Sequence, residues 1–447
     1  MKKYIILLSI FILFFVGIFI SAKILDERFG LDEQPATSVI GNTGTTSSGS
    51  NVLGSMQGQG KELELSAEAD YVENPEGNYG EQTEINVTAK LSNEDWKRRN
   101  DAGLTNSNIA LTMKECGGLY GYENIDMAQR QLYAEILLIY QAQESGVPLC
   151  STDIQAVEKV STCVLLDHPE IFYSDGYSYE QYLFAGNIQK ITYSPNYTMS
   201  QEQVAQQKEL IAQMVENYLE KLPQDATDYD KVKYVYEMVI LNTEYNLEAP
   251  DNQNICSVFL GRESVCLGYA KAVQYLLQQL EVEATVVTGS ITTGESHAWN
   301  LVKVNGQYYY LDATWGDASY TGANVEESAL STINYDYLCI TTQDLVKTHV
   351  IDHPIRVPNC LVQADNYYVK EGLYLTDVDP IMIENIFTTA KSQGSTCVSI
   401  RCSNQFVFQE FQTSMLDDQQ IFQYLGSSTT TLAYTTNDKL YTYTFML

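Results

Sequence analysis

The sequence predicts an α+β fold in which a helix that begins at a cysteine packs against an antiparallel sheet. Apolar residues recur at helical spacing from Gly268 to Leu280, directly after Cys266. An Asn-Gly pair at 305–306 then separates two runs that are rich in strand formers, which is the strongest short signal for a hairpin. A third strand is expected over Ala284 to Ile291, between the helix and the hairpin.

The composition indicates a mostly globular chain with more than one domain. Its 447 residues exceed what one small core needs, and 45% of them are hydrophobic. The 26 basic and 57 acidic residues give a net charge of −31. This charge argues against nucleic-acid binding, because phosphate contacts need Lys and Arg, and it would repel anionic membrane surfaces. We interpret it as a solvated surface.

Residues 1–23 have the pattern of a membrane anchor. The apolar run from Tyr4 to Ala22 follows two lysines and is long enough to cross a hydrocarbon core, with the N-terminus in the cytoplasm. A cleaved signal peptide is the alternative, although the run is long for one. In either case the rest of the chain is predicted to be extracytoplasmic, as a single-pass membrane protein or, after cleavage, as a secreted one.

The chain after the apolar run divides into four predicted segments. Residues 24–60 are expected to form a flexible linker, because 41–60 contains six glycines and seven Ser or Thr residues. Residues 61–224 are predicted to be mainly helical, and 225–345 contain the helix and hairpin described above. Residues 361–447 are predicted to form a small α+β domain whose function the sequence does not indicate.

Within these segments, further elements are predicted from periodicity and turn residues. In the helical segment they are a strand near Thr83 to Leu91, a helix after Asp126, a hairpin turning near Gly186-Asn187 and a helix capped by Thr227 or Asp228. In the last segment they are a strand over Tyr367 to Thr376, a helix over Asp379 to Lys391, a strand over Thr396 to Ser403, a helix near Asp417 to Tyr424 and a hairpin turning at Asn437-Asp438.

The cysteines are odd in number. An exported chain can form disulfides, and nine cysteines leave at least one thiol free, for which Cys266 is the natural candidate. The sequence has no Cys-x-x-Cys, His-Glu-x-x-His or EF-hand pattern. We therefore expect no metal ion and no other cofactor.

Cys266 is predicted to lie at or just before the first turn of its helix. The free N–H groups and the helix dipole at that end stabilise a thiolate. Gly268 would let another part of the backbone approach closely there. The alternative is a structural cysteine, either a small buried hydrophobic residue or half of a disulfide.

The hairpin is predicted to orient a histidine with an acid. A two-residue turn pairs Val304 with Gln307, and counting outward pairs Trp299 with Asp312. His297 is then a diagonal neighbour of Asp312 on the same face, roughly 7 Å away at the backbone. A register slip of one residue would move Asp312 to the opposite face. A thiol, an imidazole and a carboxylate are the components of a covalent acyl-transfer site.

Three motifs around these residues resemble those of the transglutaminase-like superfamily, whose core is related to papain-like cysteine peptidases. They are Gly268-Tyr269-Ala270 after the cysteine, His297-Ala298-Trp299-Asn300, and Leu311-Asp312-Ala313-Thr314-Trp315. The resemblance covers about residues 245–320. It implies that Cys266 is the nucleophile, His297 the base and Asp312 the group that orients the base. The calcium sites of animal transglutaminases are not recognisable.

The resemblance also implies a donor for an oxyanion. The backbone N–H of Cys266 is one candidate, and the side-chain amide of Gln253 or Asn254 is another, although both residues suit an ordinary loop. Trp299 and Trp315 are expected either to wall the site or simply to pack in the core. The other three histidines, at positions 168, 349 and 353, are further candidates for a base, but a solvated or structural role is favoured for each.

These observations predict an exported, membrane-tethered enzyme that forms a thioacyl intermediate on an amide of a peptide or protein, for instance in the cell envelope. Water as the second nucleophile would make it a cysteine peptidase or amidase, and an amine would make it a cross-linking transglutaminase. A catalytically silent surface module that binds a partner on the same fold is the alternative.

Overall fold

The computed structural model describes residues 58–74, 87–317, 333–425 and 431–447. The predicted membrane anchor and almost all of the predicted linker lie outside these residues. Within the described part of the chain, no helix combines the length and apolarity that a membrane crossing needs. The strand expected near Thr83 to Leu91 lies partly outside, and its described part, 87–91, forms no strand.

Helices and one sheet form the segment before residue 224. The elements are β1 (Gly58–Glu64), α1 (Asn93–Asp101), α2 (Asn106–Glu115), α3 (Tyr120–Glu123), α4 (Met127–Ala142), β2 (Val147–Pro148), α5 (Ile154–Asp167), β3 (Ser174–Phe184), β4 (Asn187–Tyr197) and α6 (Gln201–Leu219). The strand order is β1-β3-β4-β2. Strand β1 starts three residues inside the predicted linker, and the β3–β4 turn lies at Ala185-Gly186, one residue earlier than predicted.

The next segment contains the predicted cysteine helix and hairpin. Its elements are α7 (Asp228–Asn242), β5 (Glu244–Tyr245), a π-helical turn (Ser257–Gly261), β6 (Glu263–Ser264), α8 (Cys266–Gln279), β7 (Ala284–Ile291), β8 (Ser296–Val304), β9 (Gln307–Leu311), α9 (Ala313–Gly316), a 3₁₀ turn (Tyr335–Tyr337), α10 (Thr342–Leu345) and β10 (His349–Ile351). Helix α8 packs on β7 and β8 of an antiparallel sheet with the order β10-β7-β8-β9. The predicted α+β class and the β7 strand are confirmed.

Two helices begin at the capping residues that the sequence predicts. Asp126 caps α4 and Thr227 caps α7, each in a capping box with the residue three positions on. These interactions satisfy N–H groups that have no partner inside a helix. Both predicted helix starts are confirmed.

The register of the hairpin is the predicted one. Val304 pairs with Gln307, and the ladder continues to Asn300 opposite Leu311. Asn305 and Gly306 have φ values of 50° and 78°, as a type I′ turn requires. The predicted pairing of Trp299 with Asp312 does not form, because β9 ends at Leu311 and Asp312 instead caps α9.

The C-terminal domain has its own hydrophobic cluster, but two predicted elements were wrong. Its elements are α11 (Tyr367–Lys370), β11 (Tyr374–Leu375), α12 (Pro380–Ser392), β12 (Cys397–Cys402), α13 (Gln405–Phe411), a π-helical turn (Gln412–Asp417), a 3₁₀ turn (Gln420–Gln423), β13 (Tyr434–Asn437) and β14 (Thr442–Met446). The first half of the strand predicted over Tyr367 to Thr376 is a helical turn. The helix predicted near Asp417 to Tyr424 is only a 3₁₀ turn, and α13 was missed.

One hydrophobic cluster joins the helical segment to the sheet that carries the hairpin. Its buried residues run from Ala102 to Cys360, with Leu440 added from the C-terminal domain. The C-terminal domain is further tied to this core by Arg401, whose guanidinium lies 2.6 Å from the carboxylate of Asp344. The hairpin therefore packs against residues that come before it and after it in the sequence.

Replacing Gly306 with alanine tests how strongly the turn supports the fold. A Cβ at this position meets no atom within 4 Å, so its cost comes from the backbone, whose φ of +78° disfavours any side chain. We expect Gly306→Ala to lower the free energy of unfolding by roughly 1–2 kcal/mol in urea denaturation. The neighbouring Gln307→Ala should be nearly neutral. Equal effects of the two substitutions would contradict the assignment of the turn.

Candidate active site

Cys266 is the first residue of α8, and this helix start lacks a side-chain cap. The N-cap residue is Val265, which offers no hydrogen-bond acceptor on its side chain, whereas α1, α4, α6 and α7 all begin with capping boxes. Valine at the N-cap therefore leaves the first N–H groups of α8 free of a side-chain cap. The thiol lies at the positive end of the helix and is 4% exposed.

Close packing fixes the first turn of α8 against the preceding loop. A Cβ on Gly268 would lie 2.0 Å from Oγ of Ser264 and 2.9 Å from the carbonyl oxygen of Asn252. The hydroxyl of Ser264 in turn hydrogen-bonds to that carbonyl at 2.9 Å and to the hydroxyl of Ser257 at 2.7 Å. The predicted close approach at Gly268 is confirmed, and it explains why no larger residue fits.

Polar side chains also hold α8 on its neighbours. Nδ2 of Asn300, on β8, donates to the carbonyl oxygen of Ala270 at 2.8 Å. The hydroxyl of Tyr269 has two acceptors within reach of its one proton, the carbonyl of Thr243 at 2.9 Å and the carboxylate of Asp317 at 2.6 Å. Asn300 belongs to the same motif as the histidine, so this motif positions the cysteine helix as well as the imidazole.

His297 and Asp312 form the hydrogen bond that the hairpin geometry predicts. Nε2 of His297 lies 2.7 Å from Oδ2 of Asp312, and the two residues are 3% and 1% exposed. Oδ1 of Asp312 accepts a further hydrogen bond from the backbone N–H of Trp315 at 3.1 Å. Because Nε2 of the imidazole is used by the carboxylate, Nδ1 is the ring nitrogen left for the thiol of Cys266.

Asp312 and His297 each shift the pKa of the other. Burial alone would raise the pKa of Asp312, but His297 and a second histidine, His349, outweigh it and hold the pKa below its usual range. Burial alone would lower the pKa of His297, but the carboxylate of Asp312 and an interaction with the thiol of Cys266 raise it to about 10. The imidazole is therefore held in its protonated form at neutral pH.

His349 also contacts the carboxylate of Asp312 and is 1% exposed, so the interpretation of this residue as solvated is wrong. Its Nε2 lies 3.0 Å from the same Oδ2 of Asp312 that His297 contacts. The residue is brought there by β10, where it pairs with Ile291 on β7. No sequence signal marks this contact, since His349 follows Asp312 by 37 residues and the two are joined only by sheet pairing.

Two tryptophans flank the imidazole of His297. The ring of Trp299 stacks on it at a centroid distance of 5.9 Å, and the ring of Trp315 lies 6.2 Å away. Trp299 is 1% exposed, and Trp315 is partly buried and packs edge-on against Tyr337. Both residues thus contact the site and the core together.

The two predicted amide side chains, those of Gln253 and Asn254, make other contacts. Oδ1 of Asn254 accepts from the backbone N–H of Cys256 at 2.9 Å, as a loop residue does, and Asn254 and Gln253 both line a cavity of about 230 Å³ that Lys271 also lines. The structure gives no contact between either amide and Cys266, so their role as oxyanion donors stays a prediction.

The two remaining histidines contact neither Asp312 nor Cys266 in the hydrogen bonds of the described residues. His168 pairs with Glu170 at 2.7 Å, and His353 contacts the backbone N–H of Thr288 at 3.3 Å. These are the structural roles that the sequence favours for them.

The side chains of His297, Asp312 and His349 offer ligand atoms that all lie within 4.8 Å of one another, and they are the one such cluster in the described parts of the chain. A metal ion there would have to replace the hydrogen bonds from both rings to Oδ2. The arrangement suits proton chemistry, and the absence of a metal stays a prediction.

All nine cysteines are free thiols. Burial raises the pKa of six of the eight thiols other than Cys266, which makes them poor nucleophiles. These six are Cys150, Cys163, Cys256, Cys339, Cys360 and Cys402. Cys266 differs from them in having an imidazole as its partner.

Residues 216–313 match the sequence model of the transglutaminase-like superfamily. This segment of the chain belongs to that superfamily. The matched transglutaminase-like core includes α7, α8, β7, β8 and β9, together with Cys266, His297 and Asp312. No curated protein sequence matches the chain significantly.

Solved structures resemble the chain only weakly. A crystal structure of a TGase is 17% identical over 36% of this chain and 57% of its own, with a TM-score of 0.24. A candidate cysteine protease from Cytophaga hutchinsonii is 15% identical over 31% and 62%, with a TM-score of 0.21. The periplasmic domain of TgpA from Pseudomonas aeruginosa is 15% identical over 29% and 56%, with a TM-score of 0.20. The chain thus covers less than two thirds of the length of each of these proteins. TM-scores of 0.20 to 0.24 add nothing to the superfamily match.

Removing the charge of Asp312 should change how the stability of the transglutaminase-like core depends on pH. Because the folded-state pKa of His297 is raised from 6.5 to about 10, its proton stabilises the fold fully below about pH 6.5. This contribution is lost as the pH rises to about 10. In Asp312→Asn the pKa of His297 falls, so the free energy of unfolding should decline less steeply across this range, by up to about 1.4 kcal/mol per pH unit.

The measurement is urea denaturation at a series of pH values. Asp336→Asn is a matched control, since the buried carboxylate of Asp336 binds Tyr368 and Asn437 and no histidine. Its slope should equal that of the unmodified protein. An unchanged slope in Asp312→Asn would contradict the coupling of Asp312 with His297.

Proposed function

We propose that this protein is a thiol-dependent acyl-transfer enzyme in which Cys266 attacks an amide carbonyl, with His297 and Asp312 as its partners. The observation that carries the proposal is that one imidazole interacts with Asp312 through Nε2, at 2.7 Å, and with the thiol of Cys266. The superfamily match over residues 216–313 supports the same kind of chemistry.

In the proposed first step, the proton of Cys266 already lies on His297, whose pKa is raised to about 10, and the thiolate sulfur attacks the carbonyl carbon. The imidazolium then donates its proton to the leaving amine, and a thioester with Cys266 remains. Asp312 keeps Nε2 of His297 protonated and directs Nδ1 toward the thiol. The second nucleophile breaks the thioester, and its proton returns to His297.

The free N–H groups at the start of α8 would stabilise the oxyanion formed in this step. The N–H of Cys266 belongs to the uncapped first turn, and a fixed backbone donor needs no rearrangement during the reaction. Gln253 and Asn254 are kept as second-donor candidates because they lie in the loop that packs on the same turn through Asn252.

The second nucleophile decides between hydrolysis and cross-linking. We propose peptides or proteins, including those of the cell envelope, as substrates, with the enzyme exported and held at the membrane by residues 1–23. Trp299 and Trp315 flank the imidazole and limit the access of water to it. A catalytically silent binding module is the outcome if Cys266 proves unreactive.

Iodoacetamide labelling tests the nucleophile without knowledge of the substrate. We expect Cys266 to be alkylated faster than the other eight thiols, because only it has His297 as a base, and peptide mass mapping identifies the site. His297→Ala should slow the reaction by at least about 10²-fold, the usual minimum contribution of a positioned base. Cys397→Ser removes the partly exposed thiol of the C-terminal domain and should leave the rate at Cys266 unchanged. Equal rates in His297→Ala and the unmodified protein would contradict the proposal.

Product analysis distinguishes the two enzymatic outcomes. The protein is incubated with isolated cell envelope, and released peptides, ammonia and new cross-links are followed by mass spectrometry. New amino termini indicate a peptidase, whereas ammonia together with new isopeptide bonds indicates a transglutaminase. Cys266→Ala should abolish either product. Products that persist in this variant would exclude Cys266 as the nucleophile.

A further inference from the structure

His349 is a histidine of the site for which the proposed reaction has no step. It is the first residue of β10 and is 1% exposed. Its ring lies among aromatic neighbours, with centroid distances of 5.3 Å to His297, 5.0 Å to Trp299, 4.9 Å to Trp315 and 5.6 Å to Tyr337. A buried imidazole among aromatic rings needs hydrogen-bond partners for both of its nitrogens.

The first partner is the carboxylate of Asp312. Nε2 of His349 lies 3.0 Å from Oδ2, and the same oxygen accepts from Nε2 of His297 at 2.7 Å. Oδ1 accepts from the backbone N–H of Trp315. The terminal torsion of an aspartate is broad on its own, so these three donors together define one orientation of the carboxylate.

The second partner of His349 is the hydroxyl of Thr348. Nδ1 lies 2.8 Å from the hydroxyl of Thr348, and the hydroxyl of Tyr337 donates to Thr348 at 3.3 Å. The hydroxyl of Thr348 also lies 3.3 Å from the carbonyl oxygen of Leu345, so its proton has two acceptors in reach. The carboxylate of Asp312 can only accept, so Nε2 of His349 carries a proton in either case. Nε2 of His349 thus presents an N–H to Oδ2 in the direction that the carboxylate needs.

We infer that His349 is a positioning residue for acyl transfer, which holds the carboxylate of Asp312 in the orientation that accepts from His297. This inference rests on the proposed function, because it assumes that His297 is the base for Cys266. His349 itself touches neither the thiol nor the substrate carbonyl in the proposed step. Its effect on Cys266 passes through Asp312 and His297.

A ring that only fills space would behave differently from a ring that donates a hydrogen bond. His349→Phe keeps an aromatic ring among the neighbouring rings but removes the donor to Asp312. His349→Gln loses the ring, but its amide nitrogen reaches nearly the position of Nε2 and can still donate to Oδ2. The two variants therefore separate the donor from the packing.

The experiment measures the rate at which iodoacetamide alkylates Cys266 in the full chain at neutral pH, with the melting temperature recorded for each variant. We expect His349→Phe to slow alkylation roughly 10- to 100-fold, by analogy with the loss on removing the hydrogen-bond partner of a metal-ligating histidine. His349→Gln should stay close to the unmodified rate even if its melting temperature is lower. His353→Gln is the matched control, since His353 hydrogen-bonds Thr288 outside the site, and its rate should not change.

Other results overturn the inference. An unmodified rate in His349→Phe means that the donor has no effect on Cys266. A slow His349→Gln variant means that the ring, and not its N–H group, is what matters. Failure of the proposed function looks different, because alkylation of Cys266 in the unmodified protein would then be slow, or the same in His297→Ala.

Discussion

The carboxylate of Asp312 accepts hydrogen bonds from three parts of the fold, and the rest of the site depends on them. The donors are His297 on β8, His349 on β10 and the backbone N–H of Trp315 in α9. A buried charge that loses a partner costs several kcal/mol, so each of these elements is held where the carboxylate is satisfied. The hydrogen bond from Nε2 of His297 to this carboxylate helps keep His297 protonated and leaves its second nitrogen for Cys266.

This arrangement depends on where the hairpin ends. The turn at Asn305-Gly306 fixes the register, and the ladder stops at Leu311 because the next residue, Asp312, caps α9. The carboxylate is therefore used twice, once by the helix start through Oδ1 and once by the imidazoles through Oδ2. The cysteine comes from the uncapped start of α8, which Gly268 allows to pack tightly on the preceding loop.

The sequence predicted those elements that are determined by residues close to one another along the chain. Counting residues around a two-residue turn predicted the contact between His297 and Asp312, although Asp312 makes it from the start of α9 and not from the paired strand. Apolar spacing predicted the start of α8. His349 could not be predicted, because it reaches Asp312 only through the pairing of β10 with β7. The strand predicted from Tyr367 begins instead as a helical turn, in which the hydroxyl of the next residue, Tyr368, donates to Asp336 at 2.7 Å. Tertiary contact overrides strand propensity there.

The distance between Sγ of Cys266 and Nδ1 of His297 in a crystal structure of the protein is the most direct test of this account. We expect the two atoms within hydrogen-bonding distance, with Nε2 of His297 on Asp312 and the sulfur unbridged. A sulfur that is joined to another cysteine, or that points away from the ring so that no side-chain rotation brings it back, would contradict the account.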